Sequence, residues 1–236
     1  MKKLALLPLL VLPLSFNVTA ADSGVYIEAF TGHSDSLGNP DRDTRTAGAS
    51  NNGLIEDIEL DDDTVAGIKL GYRFNTNWRI DLSYFNSERD NDWRTEFPGG
   101  ASSYFNSSMK SEVYMLSVYY QTRVNNWLLP YVSAGIGNSK NKLTNIEEKF
   151  TENGAVGAYV NSNSENSLAY KLGVGADIQL SNNVYLNVDY SAYYLGDMSS
   201  DNSRNFVSPS SNQSIGAYKF DNVWVDVYSL GLRYQF

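Results

Sequence analysis

GIKLGYRFNTNWRIDLSYF, residues 67–85, alternates between apolar side chains and small or polar ones on both sides of a short polar break. Ile68 and Leu70 share one parity, and Lys69 lies between them on the other. Because successive side chains of a β-strand point to opposite faces, this period of two predicts two strands. The Asn75–Asn77 break between them predicts the tight turn of a β-hairpin.

The same alternation recurs along the rest of the chain. Residues 169–179, AYKLGVGADIQ, repeat it, and Ser181–Asn183 turn into a partner strand. Single runs elsewhere bring the number of predicted strands to eight. The predicted strands are Val25–Gly32, Val65–Phe74, Trp78–Tyr84, Glu112–Gln121, Tyr131–Asn138, Tyr170–Gln179, Val184–Ala192 and Val223–Phe236.

The connections between these strands alternate in length. Three are short turns, and four are long segments rich in Asn, Ser, Asp and Gly that all fall on one side of the sheet. An even number of strands with this asymmetry is typical of outer-membrane barrels. The short turns are near Asn75–Asn77, Val124–Leu129 and Ser181–Asn183, and the long loops are His33–Asp63, Asn86–Met109, Ser139–Asn166 and Gly196–Asp221.

The N-terminus has the order of a secretory signal peptide. Two lysines precede an apolar run from Leu4 to Phe16, which is too short to span a bilayer as a helix, and small residues follow. We predict that residues 1–20 are removed and that residues 21–236 form the barrel with four long extracellular loops. Loss of the two lysines changes the formal charge from −9 to −11, which disfavours nucleic-acid binding. The chain has no cysteine, and no cofactor is expected.

Glycines and aromatic rings indicate which face is inside. Seven glycines lie on the polar face of the predicted strands, although glycine weakens a strand and a solvated surface gives no reason to choose it. The lumen of an eight-stranded barrel is only just wide enough for its own side chains, so small residues there must alternate with long ones. The apolar face carries rings near both strand ends, like a membrane belt. We therefore predict an all-β fold, an eight-stranded antiparallel transmembrane up-and-down β-barrel.

Three segments carry a resemblance to a known family: residues 67–85, LLPYVSAGIG at 128–137 and LAYKLGVGADIQLSNNVYLNVDYSAYYLGD at 168–197. They resemble the small eight-stranded outer-membrane barrels of the OmpA-like and opacity-protein group. The resemblance covers most of the strands and none of the long loops. It implies a bacterial outer-membrane location, among lipid and lipopolysaccharide, and an adhesive function. It also implies that a terminal signal is read by the barrel-assembly machinery, and this signal maps to Leu232, Tyr234 and Phe236.

Nine charged residues are predicted to lie on the lumen face. Unpaired charges there would be costly, so an ion-pair network that fills the barrel is the expected arrangement. In the alternative, an ion pair of this network plugs a gated narrow pore, and Lys69→Glu is then expected to raise ion conductance. Counting from the turn makes Arg73 a diagonal neighbour of Asp81. The predicted network is Glu28, Lys69, Arg73, Arg79, Asp81, Lys171, Asp177, Asp189 and Arg233.

The long loops hold the other candidates. Acidic residues crowd between Glu56 and Asp63 and could bind a divalent cation, although their spacing does not match a calcium-binding loop, and a solvated acidic segment is the alternative. His33 is the only histidine and stands beside Ser34, but adjacent side chains on an extended backbone point apart, so we do not expect an enzyme. Aromatic loop residues either bind a ligand or pack the loops together. They include Trp93, Phe97, Tyr104, Phe105, Phe150 and Phe206.

Together these features predict an integral outer-membrane protein without catalytic activity. The expected function is a structural role in the envelope, surface binding to a host or cell-surface ligand through the loops, or both. A narrow porin-like channel for small solutes or ions is the alternative.

Overall fold

The computed structural model describes residues 23–36, 41–43, 54–60, 63–96, 102–150, 154–208, 211–214 and 216–236. Thirteen β-strands and no helix occur within these ranges, and none of their segments is a helix long and apolar enough to span a membrane. The predicted signal peptide, residues 1–20, and the loop residue Phe97 lie outside the described residues. So do the side chains of residues 56–62, which carry most of the acidic segment.

Eight of the strands form a closed ring. Each pairs antiparallel with its neighbours along the chain, and the last pairs with the first. The predicted eight-stranded antiparallel up-and-down barrel is therefore confirmed. The ring strands are β1 (Gly24–Ser36), β4 (Asp63–Arg73), β5 (Trp78–Glu96), β6 (Ser102–Gln121), β7 (Leu128–Phe150), β9 (Asn163–Gln179), β10 (Val184–Ser199) and β13 (Lys219–Gln235).

Five shorter strands extend the ring on the side of the long connections. Three of them, β8 (Val156–Val160), β11 (Ser203–Phe206) and β12 (Ser211–Ser214), add one after another to the upper end of β7. The other two, β2 (Asp41–Asp43) and β3 (Leu54–Leu60), pair with β13 and β5. The wall above the membrane therefore contains more strands than the wall within it.

The polar face of the ring strands points inward. Along β4, Lys69 is 3% exposed and its apolar neighbour Leu70 is 59% exposed, and the same alternation continues around the ring. An apolar outer surface and a charged interior suit a wall surrounded by lipid. Aromatic rings contact each other near both ends of this apolar band, for example Trp78 with Tyr120 at the short turns and Tyr194 with Trp224 on the other side.

Several strands are longer than predicted. Residues 86–96 and 102–109 were expected in a loop but continue β5 and β6, and residues 139–150 continue β7. Their outward side chains include Glu88 and Lys110, which form an ion pair of 2.6 Å. Above the lipid the outer face is polar, so the apolar-out alternation that marks a membrane strand ends there. The polar composition that predicted loops instead belongs to strands exposed to water.

Two glycines allow tyrosine rings to cross the narrow lumen. A Cβ at Gly71 would overlap the Tyr26 ring, and a Cβ at Gly175 would overlap the Tyr131 ring. Both tyrosines are almost fully buried, and their hydroxyl groups reach lumen carboxylates. Glycine is therefore needed at these positions because larger residues would displace the rings.

We predict that Gly71→Ala destabilises the barrel, because an added methyl group forces Tyr26 out of its position against the wall. The free energy of unfolding should fall by about 1–3 kcal/mol, the usual cost of overpacking. Denaturant unfolding of the barrel refolded in detergent measures the change. Ala134→Val, on the exposed lipid face, serves as the control and should leave stability nearly unchanged. An equal loss in both variants would contradict this packing argument.

Candidate functional site

All nine charged residues predicted for the lumen lie inside the barrel. The most exposed side chains among them retain only 4% of their accessible surface. Glu28 on β1 and Lys69 on β4 are directly opposite in register and form an ion pair of 2.6 Å. Lys171 on β9 lies 3.7 Å from Asp189 on β10, and Asp189 also accepts a 2.7 Å hydrogen bond from the Tyr131 hydroxyl. These pairs neutralise charge that water cannot reach.

Asp177 on β9 contacts two arginines of this network. Its Oδ2 lies 2.6 Å from Arg233 Nη2 and 3.7 Å from Arg79 Nη2. Its Oδ1 accepts a 2.8 Å hydrogen bond from the Asn187 amide. Through these contacts one carboxylate connects β5, β9, β10 and β13 across the lumen.

Arg79 also lies among aromatic rings. Its guanidinium carbon is 3.9 Å from the centre of the Tyr119 ring and 4.9 Å from that of Tyr131. Its Nη1 donates to the Tyr26 hydroxyl at 3.3 Å, and that hydroxyl donates to Asp81 Oδ2 at 2.9 Å. Guanidinium–ring contacts are strongest where water is excluded, as here.

Arg73 has a different environment from the one predicted. The register places it opposite Arg79 and therefore diagonal to Asp81, as expected. Its Nη1, however, donates to the Tyr185 hydroxyl at 3.4 Å, and no ion pair links Arg73 to a carboxylate of the described residues. Asp81 instead accepts from Tyr26, because the Gly71 position opposite Asp81 leaves room for that ring.

An apolar core fills the lumen above the charged layer, and sequence reasoning missed it. Phe85 on β5 and Tyr193 on β10 stand on opposite walls, and their ring centres are 5.1 Å apart. Higher up, Trp93 stacks on Phe105 at 5.1 Å with an interplanar angle of 6°. The signal available in the sequence was the parity of Met109, Val113 and Met115, which share the inward parity of Ser111 and Ser117. The core also includes Phe30, Val65, Leu143, Ile146, Val160, Leu195, Met198, Tyr218, Phe220, Val223, Val225 and Val227.

The five aromatic candidates for loop binding that lie within the described residues therefore divide into different groups. Trp93 and Phe105 are 1% and 0% exposed, which favours packing over ligand binding for these two, and they lie on strands rather than on the loops to which they were assigned. They point inward because they have the inner parity of β5 and β6. Tyr104 and Phe150 are exposed on the upper wall, and Phe206 is half-buried beside Arg204.

The outer face of the upper wall carries a row of outward-facing side chains. Tyr104 on β6 lies opposite Arg94 on β5 and Lys149 on β7, all pointing away from the core. Tyr159 on β8 is exposed one row lower, opposite Glu147. We name Arg94, Tyr104, Lys149 and Tyr159 the upper outer face.

His33 and Ser34 point to opposite sides of β1, as expected. His33 is exposed, and its Nε2 lies 3.1 Å from Asp35. Ser34 is buried in the lumen, where its hydroxyl accepts a 2.6 Å hydrogen bond from Arg89. Within the described ranges no group of three or more His, Cys, Asp or Glu side chains is arranged to hold a metal ion.

We predict that Asp177→Asn strongly destabilises the barrel, because Arg79 and Arg233 would lose their shared counter-charge. Breaking one side of a buried ion pair typically costs about 3–5 kcal/mol, and unfolding in denaturant measures it. Glu88→Gln breaks the exposed pair with Lys110 and should cost less than about 1 kcal/mol. Comparable losses in the two variants would show that the lumen network does not depend on Asp177.

Comparison with known proteins agrees with this architecture. The structure of the outer membrane protein OprG from Pseudomonas aeruginosa aligns with this chain at a TM-score of 0.51 and 17% sequence identity. The alignment covers 90% of this chain and 97% of OprG. This chain also matches 91% of its length to 99% of Neisserial surface protein A (NspA), with a TM-score of 0.47 and 16% identity. None of the curated protein sequences matches it. Residues 4–236 match the model of the outer membrane protein beta-barrel domain. The chain therefore belongs to this family of β-barrels and is a protein of the bacterial outer membrane.

Proposed function

We propose that this protein is a non-catalytic surface-binding barrel, which presents the upper outer face to molecules of a host or of other cells. The observation that carries the proposal is the outward-facing row of Arg94, Tyr104 and Lys149 on a wall that continues beyond the lipid. Strands, rather than irregular loops, hold these side chains in place. Binding to such a surface costs little conformational entropy.

The composition of the upper outer face supports recognition. Tyr104 is 48% exposed and Tyr159 is 46% exposed, and tyrosine and arginine are enriched among residues that dominate binding energies. Arg94 and Lys149 each have an acidic neighbour, at 2.7 Å from Glu96 and 3.8 Å from Glu147. The surface therefore combines rings with balanced charge, which suits a mixed polar and apolar partner better than a polyanion.

The apolar core beneath this wall supports its rigidity. Trp93, Phe105, Tyr218 and Phe220 contact one another through ring pairs with centres 5.0–5.7 Å apart. Such clusters bury large apolar areas and order the strands around them. The upper wall thus has an interior of its own, as a water-soluble β-structure does.

The lumen geometry favours binding over transport. Phe85 and Tyr193 meet from opposite walls, and Phe30 contacts Phe85 at 6.2 Å from a third strand. Lys69, paired with Glu28, lies directly below with its Nζ 4.8 Å from the Phe30 ring. A charged layer and an aromatic layer therefore follow each other along the barrel axis. Breaking the ion pair between Lys69 and Glu28 leaves the aromatic layer in place.

We also propose the partners expected from the fold. The exposed apolar band would contact outer-membrane lipid, and polar strand positions above it would meet lipopolysaccharide. The barrel-assembly machinery would recognise Leu232, Tyr234 and Phe236. In the structure Leu232 and Phe236 are exposed on the outer wall near the end of β13, and the Tyr234 ring contacts that of Phe236.

We predict that the refolded barrel shows no conductance steps in a planar bilayer, and that Lys69→Glu does not produce them. The substitution breaks the pair with Glu28, but the rings above remain in contact. Single-channel recording of protein shown to be folded makes the measurement. Steady steps in the wild-type protein, or in Lys69→Glu, would instead favour the narrow channel.

We predict that replacing Tyr104 and Tyr159 by serine lowers adhesion of bacteria displaying the barrel to cultured epithelial cells by about tenfold or more, because the variant removes both exposed tyrosine rings and truncation of a binding hot spot costs about 2 kcal/mol. Val118→Ala on the exposed lipid face is the control, and surface display of all variants is quantified. Unchanged adhesion of the double variant, or no adhesion by the wild type above an empty strain, would refute the proposed surface.

A further inference from the structure

Three arginine side chains meet at the periplasmic end of the lumen. The guanidinium carbons of Arg73 and Arg233 lie 5.1 and 4.6 Å from the centre of the Tyr185 ring. Those of Arg79 and Arg233 lie 5.6 and 5.2 Å from the centre of the Tyr26 ring. Arg73 and Arg79 are also directly opposite in register beside a short turn. We name Arg73, Arg79 and Arg233 the arginine cluster.

The charges at this end of the lumen do not balance. Arg79 and Arg233 both contact Asp177, and Arg73 pairs with no carboxylate of the described chain. Only Asp177 contacts these arginines directly, and even with Asp81, which Tyr26 links to Arg79, three positive charges face two negative ones in a place where burial makes uncompensated charge costly. The remaining lumen carboxylates contact other groups: Glu28 contacts Lys69, Asp189 contacts Lys171, and Asp81 accepts from Tyr26.

The arginine cluster also has unused hydrogen-bond donors. In each arginine two side-chain nitrogen atoms are buried without a hydrogen-bond partner: Nε and Nη2 of Arg73, Nε and Nη2 of Arg79, and Nε and Nη1 of Arg233. The three side chains are 4%, 0% and 0% exposed. Buried donors of charged groups are nearly always satisfied, so these nitrogen atoms require acceptors.

We infer that the arginine cluster binds a small inorganic oxyanion, phosphate or sulfate, at the periplasmic end of the lumen. Guanidinium groups match the oxygen edges of phosphate and sulfate through paired N–H donors, and these hydrogen bonds are strengthened by charge. The negative charge of the oxyanion would also offset the surplus positive charge. A polyanion does not fit the same place, because the cluster is buried inside an eight-stranded barrel.

Water is the competing source of acceptors, and it differs from an anion in one respect. Water can accept from the free N–H groups but leaves the surplus positive charge in place. An oxyanion satisfies both requirements at once. The inference is independent of the proposed surface binding, because the arginine cluster and the upper outer face lie at opposite ends of the barrel.

The test is calorimetric titration of inorganic phosphate into the refolded full barrel, in a detergent without phosphate groups and at constant ionic strength. We expect saturable binding at a single site and competition by sulfate. Arg73→Gln should weaken binding by about tenfold or more, because a charge-assisted donor pair is lost. It leaves no carboxylate unpaired, so the variant is expected to fold. Lys142→Gln removes the same charge from an exposed outward position on β7 and should bind like the wild type.

Each alternative result overturns the inference. Absence of saturable binding to the wild type would mean that water satisfies the cluster. Equal weakening in Arg73→Gln and Lys142→Gln would indicate an adventitious ion only, held by overall charge. If Arg73→Gln fails to fold, Arg73→Lys keeps the charge but loses the planar donor pair, and unchanged phosphate affinity in that variant would also refute the site.

Discussion

The structure depends on one constraint, the need of every backbone polar group within lipid to find a hydrogen-bond partner in the protein. The ring meets it by pairing β13 with β1 along Tyr26–Ser36. At the end of the chain the Phe236 amide donates to the Val25 carbonyl at 2.9 Å, and the Gln235 amide donates to the Asn183 carbonyl at 2.8 Å. Closure at eight strands then fixes the width of the lumen, and that width decides which side chains fit inside.

The narrow lumen explains why charged side chains and aromatic rings lie side by side within it. Long charged side chains can lie across the barrel only where glycines such as Gly71 and Gly175 leave room for rings and carboxylates beside them. Within the lipid span these groups hold the walls together by ion pairs and guanidinium–ring contacts. Above it, aromatic and aliphatic side chains fill the interior, as they do in water-soluble folds. The charged layer and the apolar core above it both fill a lumen of the same limited width.

The sequence was sufficient for the parts of the fold that follow from alternation. The register of the Gly67–Phe85 hairpin and the inward direction of Lys69 both follow from counting positions on paired strands. The partner of Arg73 could not be predicted, because it depends on how the Tyr26 and Tyr185 rings divide the space between distant strands.

The upper wall was missed for a different physical reason. Alternation of apolar and polar side chains identifies a membrane strand only while lipid lies outside the strand. From Asn86 onward the outward side chains of β5 are polar, as expected for a surface in water. Beyond this point both the inner and the outer positions contain polar residues, so the pattern resembles that of a loop. Trp93 and Phe105 were therefore assigned to loops, although their parity places them on the inner face of β5 and β6.

Folding places little constraint on which side chains occupy the outward positions of the upper wall. Arg94, Tyr104 and Lys149 contact neither lipid nor the apolar core, and their backbone conformation is fixed by cross-strand hydrogen bonds that do not depend on side-chain identity. Mutations there can accumulate without loss of folding. The chemistry of this outer surface can thus change by substitution while the barrel that carries it stays the same.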